Sequence, residues 1–163
     1  MLEMKKLNRR LVLRAGLAAV GCSCVGGVSG GCSAIGGRSK TPTPPEGALK
    51  VEGEVALIDI DKVPSLKGVE ASVKSEVPGL EEGQDPIKVL VVRLDERYEA
   101  YVNVCTHGGR ELEFLADVGQ LRCVSVGHSE FDDTGRTLSG PAQENLTLLS
   151  IQQRGRTLAI SLT

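Results

Sequence analysis

Two of the five cysteines and both histidines of this chain lie within 24 positions of one another, and this clustering limits the possible folds more than any other feature. Cys105 and His107 form a C-x-H pair, and Cys123 and His128 form a C-x4-H pair after fifteen intervening residues. Each pair offers one thiolate and one imidazole, which are common metal ligands. The alternative is a structural disulfide between the two cysteines with two incidental histidines.

Two kinds of metal centre fit this spacing. In a [2Fe–2S] centre the two irons are close together, so each segment could give its cysteine to one iron and its histidine to the other. A single Zn²⁺ also accepts two cysteines and two histidines. Zinc sites more often space their paired ligands by two to four residues, so the C-x-H pair favours the two-iron centre.

The sequence around these segments predicts β-strands. The clearest run is residues 87–94, which are rich in β-branched side chains, and residues 98–104 return after a short polar turn. Residues 146–151 and 157–161 flank Gly155 and predict a second hairpin. Further strands are predicted at residues 55–60 and 70–74. No sustained helical period follows residue 48, so we expect a mostly antiparallel β domain with the Cys/His segments on two loops.

These two loops resemble those of the Rieske iron–sulfur proteins. The family loops read C-T-H-x-G-C and C-P-x-H-G-S-x-F-D, with a hairpin and a G-P-A stretch after the second. Here residues 105–110 read CTHGGR, residues 123–132 read CVSVGHSEFD, and residues 140–142 read GPA. The resemblance spans residues 50–163 and implies an all-β, Rieske-type antiparallel sandwich with two cluster-binding loops at one tip. It also implies one-electron transfer by a [2Fe–2S] cluster, with the ligands Cys105, His107, Cys123 and His128.

The loops depart from the family pattern at three points. Arg110 and Ser125 stand where many quinol-oxidising members have two further cysteines that form a disulfide. The family spacing C-x2-H is C-x4-H here, so Val126 occupies the usual histidine position. The glycine that follows this histidine in the family is absent, and His128 runs directly into Ser129. The resemblance makes Ser129 the expected hydroxyl donor to the cluster sulfurs. The competing interpretation is a Rieske-fold structural or interaction subunit that holds zinc or no metal.

The first 32 residues predict an export signal. They carry five basic residues against one acidic residue, followed by an uncharged, glycine-rich stretch. The Arg9-Arg10 pair with Leu13 resembles the twin-arginine motif. Cys22 and Cys32 each end a sequence that resembles a lipoprotein cleavage box, and the alternative is a signal that stays as a membrane anchor. We predict a Gly/Pro-rich linker at residues 33–47 and a folded domain at residues 48–163.

Charge and composition limit the function of the mature part. Residues 33–163 hold fourteen basic and twenty acidic side chains, which argues against nucleic-acid binding. The chain has no Trp and only two Phe and two Tyr, so it offers few rings for base stacking. No Ser/His/Asp set or phosphate-binding glycine loop is present. We therefore expect an electron-transfer subunit that is not a catalyst on its own.

The predicted export signal indicates the cellular location of this subunit. We expect it in the periplasm or at the outer face of the cytoplasmic membrane, held there by its signal or a lipid anchor. Redox proteins are the expected partners, either a quinol-oxidising cytochrome complex or a periplasmic oxidoreductase.

Overall fold

The computed structural model describes residues 40–67 and 71–163. This part of the chain contains twelve β-strands and two single-turn 3₁₀ helices, at Ile60–Lys62 and Pro64–Leu66. The strands are β1 Leu49–Glu52, β2 Val55–Asp59, β3 Ser72–Val77, β4 Ile87–Leu94, β5 Arg97–Val102, β6 Leu112–Leu115, β7 Gln120–Cys123, β8 Glu130–Phe131, β9 Thr137–Ser139, β10 Leu148–Leu149, β11 Ile151–Arg154 and β12 Thr157–Ser161.

The strands form three four-stranded sheets, and every pairing is antiparallel. The first sheet has the order β1-β2-β12-β11, the second β10-β5-β4-β3, and the third β6-β7-β8-β9. The first two sheets combine strands from both ends of the domain. The third is built from one continuous stretch of chain, and this stretch contains the second predicted ligand loop.

The second sheet is buried on both faces. Val89 and Val91 of β4 join a core formed with the first sheet, whereas Leu90 and Val92 join a core formed with the third sheet. Successive side chains of a strand point to opposite faces, so a strand buried on both sides needs apolar residues throughout. This is why the centre of β4, residues 89–92, is a continuous apolar run.

The structure confirms the predicted all-β antiparallel fold and corrects one strand. The run at residues 87–94 is β4, and the hairpin around Gly155 is β11–β12. The prediction of a single strand at residues 146–151 is wrong, because the chain changes sheets at Ser150. Leu148–Leu149 pairs with β5 in the second sheet, whereas Ile151–Arg154 pairs with β12 in the first.

Residues at the end of the predicted linker pack on the domain. The side chain of Thr41 is buried, and the carbonyl oxygen of Pro42 accepts a hydrogen bond from the Lys74 backbone N–H at 2.8 Å. This contact covers part of β3, which is an edge strand. The export signal and residues 33–39 lie outside the described residues, so the predicted domain limits stay a prediction. Within residues 40–67 and 71–163, no helix has the length and apolar character to cross a membrane.

Candidate metal centre

The hairpin β6–β7 brings the two predicted ligand loops together. The first loop, residues 105–110, follows β5 and lies just before β6. In the β6–β7 register Leu112 is opposite Cys123, so the end of β7 returns to the start of β6. The Val124 backbone N–H donates to the Glu111 carbonyl oxygen at 3.1 Å and extends this pairing. The long spacing between the C-x-H and C-x4-H pairs is therefore the length of one hairpin.

The two cysteines form a buried thiol pair. Cys105 and Cys123 are each 1% exposed, both are free, and both belong to the core between the second and third sheets. Burial raises the pKa of the Cys123 thiol, hydrogen bonds from the side chain and backbone of Ser125 oppose this effect, and the hydrogen-bonded thiol of Cys105 raises the pKa further. The two loops therefore bring one sulfur each to the same place, where an apolar shell excludes water.

The first loop is closed by its own backbone. The Cys105 N–H donates to the Arg110 carbonyl oxygen at 2.7 Å, and the Gly109 N–H donates to the Cys105 carbonyl oxygen at 2.9 Å. Gly109 has φ +64°, a conformation that favours glycine. At the base of the loop, the buried Asn103 side-chain oxygen accepts the Leu112 N–H at 2.9 Å. His107 is exposed at the tip of this tight loop.

The second loop carries His128 on its exposed side. The Nδ1 atom of His128 lies 2.9 Å from the carbonyl oxygen of Cys123. A carbonyl can only accept, so Nδ1 carries the proton in this hydrogen bond. Val126 is 84% exposed, and Gly127 has φ +86°. The loop therefore bulges outward at Val126, and the His128 ring lies over its own loop.

The G-P-A segment contacts the second loop, and Glu144, two residues after it, contacts the first. The Ala142 N–H donates to the buried Ser129 Oγ at 3.1 Å, next to the second loop. The Thr106 Oγ1, in the first loop, donates to the Glu144 carbonyl oxygen at 2.8 Å. Ala142 is buried, so this stretch is more than a surface loop. These two hydrogen bonds connect the ligand loops through a third segment of the chain.

The described residues assemble the thiol half of the predicted site. Within the described ranges, no group of three His, Cys, Asp or Glu side chains is close enough to hold one metal ion together. The paired sulfurs fit a metal–sulfur centre. His107 and His128 lie on the same two loops, and the hydrogen bond to the Cys123 carbonyl leaves Nε2 of His128 as the ring nitrogen open to a metal. The assignment of all four ligands therefore stays a prediction.

Ser125 is a residue of the site that the sequence analysis missed. Its Oγ lies 3.1 Å from the Cys123 Sγ. The sequence signal was present, because serine side chains often bond to groups two residues away. In the sequence, Ser125 is notable only as the replacement for a disulfide cysteine, whereas the expected donor Ser129 uses its oxygen to accept the Ala142 N–H.

A separate cleft of about 460 Å³ lies between residues 43–47 and strands β3 and β4. Glu111 lines this cleft and binds Lys74 at 2.8 Å and Lys88 at 3.7 Å. The hydrogen bond from Lys74 lowers the pKa of Glu111, despite an opposing effect of burial, and Lys88 lowers it further. None of the four predicted ligands lines the cleft, and its ion pairs connect β3 and β4 to Glu111, the residue after the first loop.

Three antiparallel sheets, with a buried thiol pair supplied by two histidine-bearing loops, define a small β-sheet domain suited to a metal–sulfur centre. The sequence pattern of the Rieske [2Fe-2S] domain matches residues 63–152, and the chain belongs to this family. It is therefore a Rieske-type iron–sulfur electron-transfer domain, and the family implies a [2Fe–2S] cluster. The resemblance seen in the two loops is confirmed.

Two solved structures are similar to this chain. The cyanobacterial plasma membrane Rieske protein PetC3 from Synechocystis PCC 6803 is 26% identical, over 55% of this chain and 85% of its own, with a TM-score of 0.44. The ferredoxin of carbazole 1,9a-dioxygenase from Nocardioides aromaticivorans IC177 is 19% identical, over 61% of this chain and 93% of its own, with a TM-score of 0.46. A comparison with curated proteins finds no match.

Proposed function

We propose that the protein is an exported Rieske-type iron–sulfur protein that passes single electrons within a membrane-associated redox chain. A bound [2Fe–2S] cluster supplies the one-electron chemistry. The observation that carries the proposal is that Cys105 and Cys123, one from each loop, are both free and buried in the same core. We assign these two sulfurs to one iron, and the imidazoles of His107 and His128 to the other.

The two kinds of ligand have different surroundings. The cysteine sulfurs lie in the core with Leu112, Leu121 and Phe131, where water is excluded. Both histidines are exposed, so the imidazole side of the site faces a redox partner. Two neutral imidazoles make a centre less negative than four thiolates would, and His₂-ligated centres have potentials of roughly −150 to +300 mV. We expect a value below that of quinol-oxidising relatives, since the disulfide between the loops is absent.

Export and attachment are supported by the sequence alone. The Arg9-Arg10 pair favours the twin-arginine route, which suits proteins that acquire a cofactor before they cross the membrane. Cys22 or Cys32 would then carry the lipid, and the alternative is the uncleaved signal as an anchor. A quinol-oxidising cytochrome complex or a periplasmic oxidoreductase is the proposed partner at the outer face of the membrane.

The decisive experiment is anaerobic purification of the full chain, followed by iron and acid-labile sulfide analysis and a visible spectrum. We expect about two irons and two sulfides per chain, as a [2Fe–2S] centre requires. Cys105→Ala and Cys123→Ala should each lose the colour. Cys24→Ser changes a cysteine outside the proposed site and should keep it. A colourless wild-type protein without iron would overturn the proposal.

A second candidate is a Rieske-fold structural or interaction subunit that holds zinc or no metal. The observation in its favour is the hydrogen bond between His128 Nδ1 and the Cys123 carbonyl, which occupies that nitrogen. Two thiols and the remaining ring nitrogens would suit zinc. The same purification separates the candidates, because a zinc-bound or metal-free protein is colourless and contains no sulfide.

A further inference from the structure

The side chain of Ser125 contacts one of the two proposed cysteine ligands. Its Oγ lies 3.1 Å from the Sγ of Cys123, in the second loop. Ser125 is partly buried and lies between the end of β7 and Gly127. In the free thiol either atom can be the donor. Once the sulfur binds iron it has no proton, so only the serine hydroxyl can donate.

We propose that Ser125 tunes the reduction potential of the bound centre by donating its hydroxyl hydrogen to the sulfur of Cys123. This inference rests on the proposed function. Reduction adds negative charge to the centre and its sulfurs, and a hydrogen bond to an anionic acceptor is stronger than one to a neutral acceptor. The contact therefore stabilises the reduced state more than the oxidised state and raises the potential. Ser125 is a positioning residue that acts through Cys123.

The contact is local to the second loop. Ser125 lies two residues after Cys123, the last residue of β7, and its hydroxyl reaches back to the sulfur over this short separation. Ser129 is the donor expected from the family resemblance; its Oγ accepts the Ala142 N–H at 3.1 Å, which leaves its own hydroxyl hydrogen available, whereas the contact to Cys123 that the structure shows is made by Ser125.

Backbone hydrogen bonds hold the segment that leads into Ser125. The Cys123 N–H donates to the Ser129 carbonyl at 2.9 Å, and the Val124 N–H donates to the Glu111 carbonyl at 3.1 Å. These two bonds hold the backbone on the N-terminal side of Ser125. Neither of these bonds involves the side chain of His128.

The test is a redox titration of the purified, cluster-loaded full chain, with iron and sulfide content measured in parallel. Ser125→Ala should keep the iron and sulfide of the wild type and titrate at a lower potential. Ser125→Thr keeps a hydroxyl and should restore most of the difference. Ser139→Ala is the matched control, because it removes an exposed hydroxyl that binds Glu130, at 2.9 Å, and it should leave the potential unchanged.

If Ser125→Ala takes up no iron, a second pair of variants tests whether the hydroxyl at position 125 raises the reduction potential. Thr and Val have the same shape and differ in the hydroxyl, so Ser125→Val should titrate below Ser125→Thr. Loaded proteins with equal potentials would overturn the role of Ser125 and leave the proposed function intact. A wild-type chain that never binds a cluster would overturn both.

Discussion

Gly140 lies directly against the backbone of Ser129, at the end of the second ligand loop. A β-carbon at position 140 would lie 2.6 Å from the Ser129 Cα and would also overlap the His128 carbonyl group. The residue also has φ +87°, which favours glycine. The G-P-A segment can therefore pack this closely only because its first residue has no side chain.

We expect Gly140→Ala to destabilise the domain and disturb the second loop. The left-handed backbone costs about 1 kcal/mol with a side chain, and the overlap adds about 1–3 kcal/mol. Gly155→Ala is the matched control, because Gly155 has φ +61° but open space around its β-carbon position. Urea unfolding at neutral pH measures both variants. Equal losses in the two would contradict the close packing at Gly140.

Tyr101 should make the stability fall at alkaline pH. Its hydroxyl donates to the Asp133 carbonyl at 2.6 Å, and burial raises its pKa far above the usual value, with Glu99 and Asp133 adding to the shift. The folded state therefore keeps a proton that the unfolded state loses above about pH 10. Stability from this group is complete below that pH and is lost as pH rises.

Tyr101→Phe tests this dependence. The variant should lose about 1 kcal/mol at neutral pH, since the hydrogen bond is absent. Above about pH 10 its free energy of unfolding should fall less steeply than that of the wild type. The measurement is urea unfolding at a series of pH values, and parallel curves for the two proteins would rule out the buried phenol as the cause.

Glu111 should have the opposite effect at acidic pH. Its pKa is lowered, first by the hydrogen bond from Lys74, so the folded state keeps this carboxylate charged where the unfolded state binds a proton. The contribution is present above about pH 4.3, the usual value for Glu, and is lost as pH falls through the folded pKa.

Glu111→Gln should therefore be less stable than the wild type at neutral pH, by about 1 kcal/mol or less for a partly exposed ion pair. The difference should shrink in acid. Glu96→Gln, in the exposed β4–β5 turn, is the control and should match the wild type throughout. A stability difference that stays constant from neutral to acidic pH would show that Glu111 acts by packing alone.

The sequence predicts a strand when the pattern of the strand's own residues is enough to identify it. Strand β4 is visible because burial on both faces requires a continuous apolar run, which β-branched residues supply. The two-residue strands β8 and β10 are not visible, because their pairing depends on partners distant in the sequence. The sheet change at Ser150 is hidden for the same reason.

The candidate site also has features that the sequence predicts and features that it does not. The clustering of cysteine and histidine predicted that Cys105 and Cys123 share one site, whereas the β6–β7 hairpin that joins their loops was not predicted. The contact of Ser125 with Cys123 is local and could have been found from its spacing. The direction of the His128 ring could not, because it depends on the outward bulge at Val126 and Gly127 and on the close approach of Gly140.

Export should depend on the arginine pair. Replacing Arg9 and Arg10 with lysine keeps the charge and should leave the precursor in the cytoplasm, because the twin-arginine route reads the pair as an address. Arg14→Lys lies outside the pair and should be exported normally. Cell fractionation with an antibody against the β domain measures both. Undiminished export of the double lysine variant would indicate a different route or a membrane-anchored start.

His128 should be required for the spectrum of the bound cluster, although its spacing differs from the family pattern. It is the only histidine besides His107, and Val126, at the usual position, has no iron-binding atom. His128→Ala should abolish the visible spectrum and leave the β-sheet circular dichroism largely intact, because the residue is exposed and lies outside both cores. If this variant keeps a normal cluster, the ligand assignment is wrong.

A compensating substitution at Val126 tests the same ligand assignment. Val126→His places an imidazole at the family position, on a residue that is 84% exposed and lies outside the cores. Introduced together with His128→Ala, it should restore iron, sulfide and the visible spectrum, since the ligand set is again two cysteines and two histidines. Val126→Ala with His128→Ala is the matched control and should stay colourless. If the variant that combines Val126→His with His128→Ala folds but remains colourless, the bulged loop cannot direct a side chain at this position toward the thiol pair.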